Sequence, residues 1–232
     1  MSAAARLALV KQTILSSVML AVMLTVFCVF AGSYRVQRLW FFAGIAFIYF
    51  LGSNVALYRL NPELLIQRLK VRRRGSKTWD EVLVRASNLS AMILVPAVSG
   101  LDVGRYGWSS LGASFLVAGV VLLVFSSVLI NWAMAVNPFF EPTVRIQDER
   151  DHRVVSSGPY AYVRHPGYLS GILWITSIPL ILGSLYGLLP VAFYSVLMII
   201  RTYLEDRTLM EELEGYREYS AKVRYRLFPG VW

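Results

Sequence analysis

Cysteine, histidine and charge are what this sequence has least of, and each shortage excludes a class of protein. There is one cysteine and there are two histidines in 232 residues. Cys28 cannot form an internal disulfide, and no ligand partner stands at metal-site spacing from it, so a disulfide framework and a zinc site are both excluded. His152 and His165 do not stand at a metal-ligand spacing either, and no metal is expected. There is no Gly-x-Gly-x-x-Gly, no Walker A sequence, and no assignable Ser-His-Asp set. Only 16% of residues are charged while 56% are hydrophobic. That balance is too apolar for an ordinary soluble domain. The net charge of +9 comes with no nucleic-acid motif, so no nucleic acid is expected as a partner. In a membrane protein such an excess collects in cytoplasmic loops.

Long uncharged runs are what the chain has in quantity. Residues 12–34, 39–58, 86–101, 106–140 and 165–200 carry no Asp, Glu, Lys or Arg. A membrane span takes roughly 20 apolar residues. The first run is longer than the apolar core of a cleaved signal, so it is expected to stay as a helix over about 13–33. The second predicts a helix over about 39–58, aromatic at both ends, and Pro62 starts a short helix after it. A third, over about 86–101, is expected to be short and broken by Pro96, and a fourth runs from near Leu111 to about Val136. The run 165–200 is too long for one span, and Gly183-Ser184-Leu185-Tyr186-Gly187 divides it into a hairpin of about 167–182 and 188–204. The last helix continues to about Leu213, with Gly215 suited to its end. The expected fold is an all-α polytopic bundle of about six spans. It forms one domain, with 1–135 mainly scaffold and 137–232 holding the cofactor and catalytic region.

Orientation follows from the basic residues. With six spans, only Arg35, Arg38 and Arg105 of the 23 Lys and Arg lie on the side opposite the 59–85 loop, the 151–168 stretch and the tail. That split places the stretch and tail in the cytoplasm. Arg72-Arg73-Arg74 reads either as a topology signal or as a site for anionic headgroups of membrane lipids. Helices 1 to 4 as drawn hold no ionisable residue, which argues against an ion pathway and so against a transporter.

The polar stretch Asp151–Tyr168 sits between two of the longest uncharged runs, holds both histidines, and interleaves turn residues with Tyr160, Tyr162, Val163 and Tyr168. It reads as the wall of a pocket at a membrane surface. Arg201 and Glu205, four apart, share a helical face where the last span leaves the membrane. Two readings stay open for them: an intrahelical ion pair, or a cation and carboxylate lining the pocket. His165 is likewise either a hydrogen-bonded structural residue or a functional one. A pocket at that depth suits a lipid-like substrate meeting a polar cofactor.

These residues resemble the isoprenylcysteine carboxyl methyltransferase family, whose superfamily also includes phospholipid N-methyltransferases. The similarity is carried by Gly158-Pro159-Tyr160, Arg164-His165-Pro166-Gly167-Tyr168, Arg201 with Glu205-Asp206, Leu209, Gly215, Tyr219 and Arg226-Leu227-Phe228-Pro229. The resemblance implies a membrane-embedded methyltransferase using S-adenosylmethionine. It implies cofactor binding by His152, Arg153, Val154, Val155, Tyr160, His165, Pro166, Gly167, Tyr168 and Glu205, and a catalytic, substrate-side role for Arg201 beside Glu205. Asp206 stands where the family commonly has a second glutamate. The implied acceptor is the carboxylate of a prenylated cysteine or a similar lipophilic acid, reaching the site from the bilayer. A phospholipid amine, a small thiol, and a non-catalytic transport or assembly role are the alternatives. The implied setting is the endoplasmic reticulum in a eukaryote or the inner membrane in a prokaryote.

Overall fold

The computed structural model describes residues 2–70 and 75–232, so Arg72-Arg73-Arg74 lies outside the described residues. The architecture is that of a multi-pass helical membrane protein. Five helices are long and apolar enough to cross a membrane: α1 (Ala3–Ala31), α2 (Gln37–Leu60), α4 (Thr78–Tyr106), α5 (Ala113–Val136) and α7 (Leu188–Glu212). Between them lie α3 (Pro62–Arg68) and the shorter apolar α6 (Pro166–Leu182), and α8 (Tyr216–Lys222) follows. The divided run 165–200 is therefore an α6–α7 hairpin, turning at Gly183 in left-handed backbone (φ +86°). Large apolar side chains such as Val10, Ile14 and Val18 on α1 and Val121, Val124 and Val128 on α5 stay exposed, as lipid-facing surfaces do.

Local chemistry starts these helices. The Ser2 hydroxyl accepts from the Ala5 N–H at 3.2 Å and starts α1. Pro62 opens α3, with the Asn61 side chain accepting from the Leu64 N–H at 3.1 Å. Pro166 opens α6 in the same first-turn position, where its missing N–H costs nothing. The turns after α1, α4 and α6 meet at one end of the bundle. There Arg38 Nη1 donates to Leu111 O at 2.7 Å, the Leu111 N–H donates to Gly183 O at 2.9 Å, and Arg105 Nη2 donates to Val29 O at 3.1 Å.

Three sequence expectations need correction. The third span is not a short helix over 86–101 broken at Pro96; it runs through 29 residues from Thr78 to Tyr106. Its segments Ser90–Leu94 and Gly100–Tyr106 are π-helical, and the Val95 N–H reaches back to Ser90 O. The wider winding re-pairs the backbone around Pro96, which has no N–H to give. Second, α1 begins at Ala3 and takes in Arg6 and Lys11. Third, the membrane helices do hold ionisable groups, because the uncharged-run criterion cut α4 at both ends. Asp80 and Asp102, near its two ends, are fully buried. Asp102 accepts from the Ser109 N–H and hydroxyl (2.8 and 2.6 Å), the Ser184 hydroxyl (2.6 Å) and the Tyr186 N–H (3.1 Å). It is a fixed junction between the α4–α5 turn and the hairpin turn. α4 lies tightly against α1: a Cβ on Gly100 would stand 2.6 Å from Phe27 O, and one on Gly104 would overlap Ala31. Small residues four apart are what let two membrane helices approach this closely.

Candidate active site

The end of the bundle opposite those turns holds a cleft of about 820 Å³, counted to its open mouth. Its walls come from the segment between α5 and α6, the first turn of α6, the outer part of α7, and α8. His152, Arg153, Val154, Val155, Tyr160, His165, Pro166, Gly167, Tyr168 and Glu205 all line it. Arg201 does not line it and stands behind Tyr168, with its guanidinium carbon 4.9 Å from that ring's centroid.

The register of α7 explains the division of labour among its charged residues. Arg201 and Glu205 are one turn apart and share a face, whereas Asp206 points about 100° further round. Glu205 is partly exposed in the cleft, and the Tyr168 hydroxyl donates to its Oε2. His165 Nδ1 lies 3.8 Å from the same oxygen, and the His165 and Tyr168 rings are parallel.

Asp206 turns away from the cleft and is fully buried. It receives Arg164 Nε and Nη2 at 2.8 and 2.7 Å, Arg226 Nε at 2.9 Å and the Tyr216 hydroxyl at 2.9 Å, with His165 Nε2 at 3.3 Å. Arg164 also donates through Nη1 to Val223 O at 2.9 Å. The backbone N–H groups of Arg164 and His165 donate to Tyr225 O and Arg226 O at 3.0 and 2.9 Å. Asp206 thus joins the cleft's floor to the C-terminal residues. The two neighbouring carboxylates do different work, one facing solvent space and one holding the frame.

Arg201 is not paired with Glu205. Its Nε and Nη2 donate to Asp80 at 2.6 and 3.2 Å, and Nη2 also donates to Pro142 O at 2.6 Å. Among the described residues its Nη1 has no hydrogen-bond partner. Asp80 was missed by sequence reasoning, which counted it only as an acid in a basic loop. Its signal was its place in the first turn of a helix, directly after Thr78-Trp79.

The segment between α5 and α6 is shaped by polar contacts that the sequence did not reveal. Glu141 accepts from Arg145 Nε and Nη2 at 2.9 and 3.1 Å, and Asn137 Nδ2 donates to the Tyr160 hydroxyl at 2.9 Å. The Tyr219 hydroxyl donates to Tyr160 O at 2.7 Å. Burial raises the Tyr160 phenol above its ordinary range, so it stays protonated. Burial, with Arg145 and Arg150 nearby, pushes His152 down to about 4. Its imidazole is therefore neutral at pH 7, and the Gln147 N–H donates to its Nδ1 at 3.4 Å. Gly167 lies against the Phe140 ring, which a Cβ there would overlap unless the ring moved.

With this geometry in place, comparison with known proteins adds a second line. The sequence model of the isoprenylcysteine carboxyl methyltransferase (ICMT) family matches residues 119–211, a stretch running from α5 to the outer turns of α7. The resemblance carried by the residues of the cleft is thus borne out. A protein-S-isoprenylcysteine O-methyltransferase of Homo sapiens is 29% identical over 115 residues, which cover 46% of this chain and 39% of that protein. One of Schizosaccharomyces pombe is 29% identical over 91 residues, covering 36% of each. A probable one of Oryza sativa subsp. indica is 24% identical over 113 residues, covering 45% of this chain and 56% of that protein. The chain therefore matches well under two thirds of the length of these relatives.

Proposed function

We propose that this chain is a membrane methyltransferase that uses S-adenosylmethionine to O-methylate the carboxylate of a lipophilic acid, a prenylated cysteine being the leading candidate. One observation carries the reading. Ten residues implied by the family resemblance, drawn from 152–168 and 205, converge on one cleft at one end of a membrane bundle, with Arg201 one residue behind its wall. The relatives' names support the acceptor class.

The lining suits the donor. Glu205 offers a carboxylate to hydroxyl or ammonium groups, Tyr160 and Tyr168 offer ring faces and buried phenols, and Arg153 and Val155 offer a polar rim and an apolar wall. When bound, the donor supplies an electrophilic methyl carbon on a positively charged sulfur. The chain's task is alignment. With the donor held by Glu205, Tyr160 and Tyr168, transfer to an acceptor carboxylate oxygen would exchange the methyl's bond to sulfur for one to oxygen, with the electron pair left on sulfur. No proton moves, so no general base is required. Nη1 of Arg201 orients the acceptor anion. Its other nitrogens, fixed by Asp80 and Pro142 O, hold the guanidinium plane. The cleft faces the cytoplasm, on the side richest in Lys and Arg, and the acceptor's apolar tail lies in the bilayer beside α6 and α7.

A second acceptor keeps support from one contact. Because Asp80 offsets the charge of Arg201, an amine headgroup is repelled less than a free guanidinium would repel it. Methyl-labelled donor, given to purified protein in lipid with an S-farnesylcysteine acid and with aminophospholipid, separates the readings. Base-labile label released as methanol from the farnesyl acid is expected. Base-stable label confined to phospholipid overturns the carboxylate reading.

A further inference from the structure

We infer that Asp80 is the positioning residue for acceptor recognition, fixing the orientation of Arg201 and offsetting its charge; this rests on the reading above, in which Arg201 meets the acceptor's anionic group. Asp80 is fully buried in the first turn of α4, far along the chain from the cleft residues. Its two oxygens take Nε and Nη2 of Arg201 at 2.6 and 3.2 Å, and Oδ2 also accepts the Val144 N–H at 2.8 Å. A two-point grip of this kind fixes the guanidinium plane as well as its position. The plane so fixed lies over the Tyr168 ring, whose hydroxyl is on Glu205. Nη1 is left as the donor edge.

The second effect is electrostatic. An unpaired guanidinium would lie one aromatic ring away from Glu205, in the cleft where a cationic sulfonium has to sit. Paired with Asp80, Arg201 gives direction to an acceptor anion without opposing the donor's charge. Asp80 also binds Val144, whose carbonyl accepts the Lys77 N–H at 3.2 Å and which itself lines the cleft. The start of α4, remote in sequence, is thereby part of the acceptor half of the site.

The test uses the full chain in lipid nanodiscs, with Asp80→Asn, Asp80→Glu, and the double variant Asp80→Asn/Arg201→Gln. Calorimetry measures S-adenosylhomocysteine and, separately, N-acetyl-S-farnesylcysteine as its acid and as its methyl ester. Wild type is expected to prefer the acid. Asp80→Asn is expected to lose roughly tenfold in acid affinity, the scale of one charge-assisted hydrogen bond, and to keep homocysteine-adduct affinity within about threefold. Asp80→Glu is expected to recover part of the acid preference. The double variant, freed of a lone buried cation, is expected to regain thermal stability without regaining that preference. Parallel loss of both affinities in Asp80→Asn, or an unchanged acid preference, overturns the inference. Should Asp80→Asn not fold, Asp80→Glu carries the same comparison. A wild type that binds no S-adenosylhomocysteine, or binds it without preferring the acid, overturns the acceptor reading instead, and the inference falls with it.

Discussion

Two adjacent carboxylates on α7 give the sharpest contrast at the scale of single residues. Glu205 faces the cleft with one hydroxyl donor on it, while Asp206 is enclosed by Arg164, Arg226 and Tyr216. Asp206→Asn leaves buried guanidinium groups without their counter-charge and is expected to cost about 3–5 kcal/mol of stability, read as a fall in thermal midpoint. Glu205→Gln is expected to leave the midpoint nearly unchanged and to weaken S-adenosylhomocysteine binding by roughly tenfold or more. Equal effects of the two substitutions on stability would remove the distinction. His152 gives a pH signature. An unfolded imidazole takes its proton near 6.5, but the folded one only near 4. Between those values the unfolded chain binds more protons, so this residue's contribution is complete above pH 6.5 and is lost as pH falls toward 4. Thermal midpoints across that window are expected to slope less steeply in His152→Gln than in wild type.

Glycines allow close approach at two places that a substitution can probe. Gly100 lies against the backbone of α1, and Gly167 against the ring of Phe140. Gly100→Leu is expected to force α1 and α4 apart, with a cost of at least about 1–3 kcal/mol. Gly167→Ala is expected to spare the bundle and shift Phe140 into the cleft, so that S-adenosylhomocysteine affinity falls while the thermal midpoint holds. Element ends show why the helices were only partly legible in sequence. The α6–α7 hairpin, α5 and α2 were readable because their boundaries coincide with glycine, proline and charge. The ends of α4 were not, because Asp80 and Asp102 look like loop residues until their buried donors are known. Likewise, the motif residues were legible, but Asp80, which holds Arg201, and Asn137, which holds Tyr160, were not. Those bonds join segments that nothing in local periodicity connects, Asp80 to Arg201 above all.

On the scale of the whole molecule, the bundle has two unlike ends. One is closed by three turns bound to each other through Arg38, Leu111 and Gly183, and the other opens as the cleft. We propose, from the count of basic residues alone, that the cleft faces the cytoplasm. In a Cys28→Ala background, Arg153→Cys is expected to react with an impermeant maleimide only from the cytoplasmic side, and Trp108→Cys only from the other; both residues are exposed. The central claim is that the cleft is a methyl-donor site. Calorimetric titration of the purified chain with S-adenosylhomocysteine, wild type beside Glu205→Ala, tests it most directly. Saturable binding in wild type that is lost or greatly weakened in Glu205→Ala is the result this account predicts. A well-folded wild type that takes up no S-adenosylhomocysteine would contradict it and leave a non-catalytic membrane role in its place.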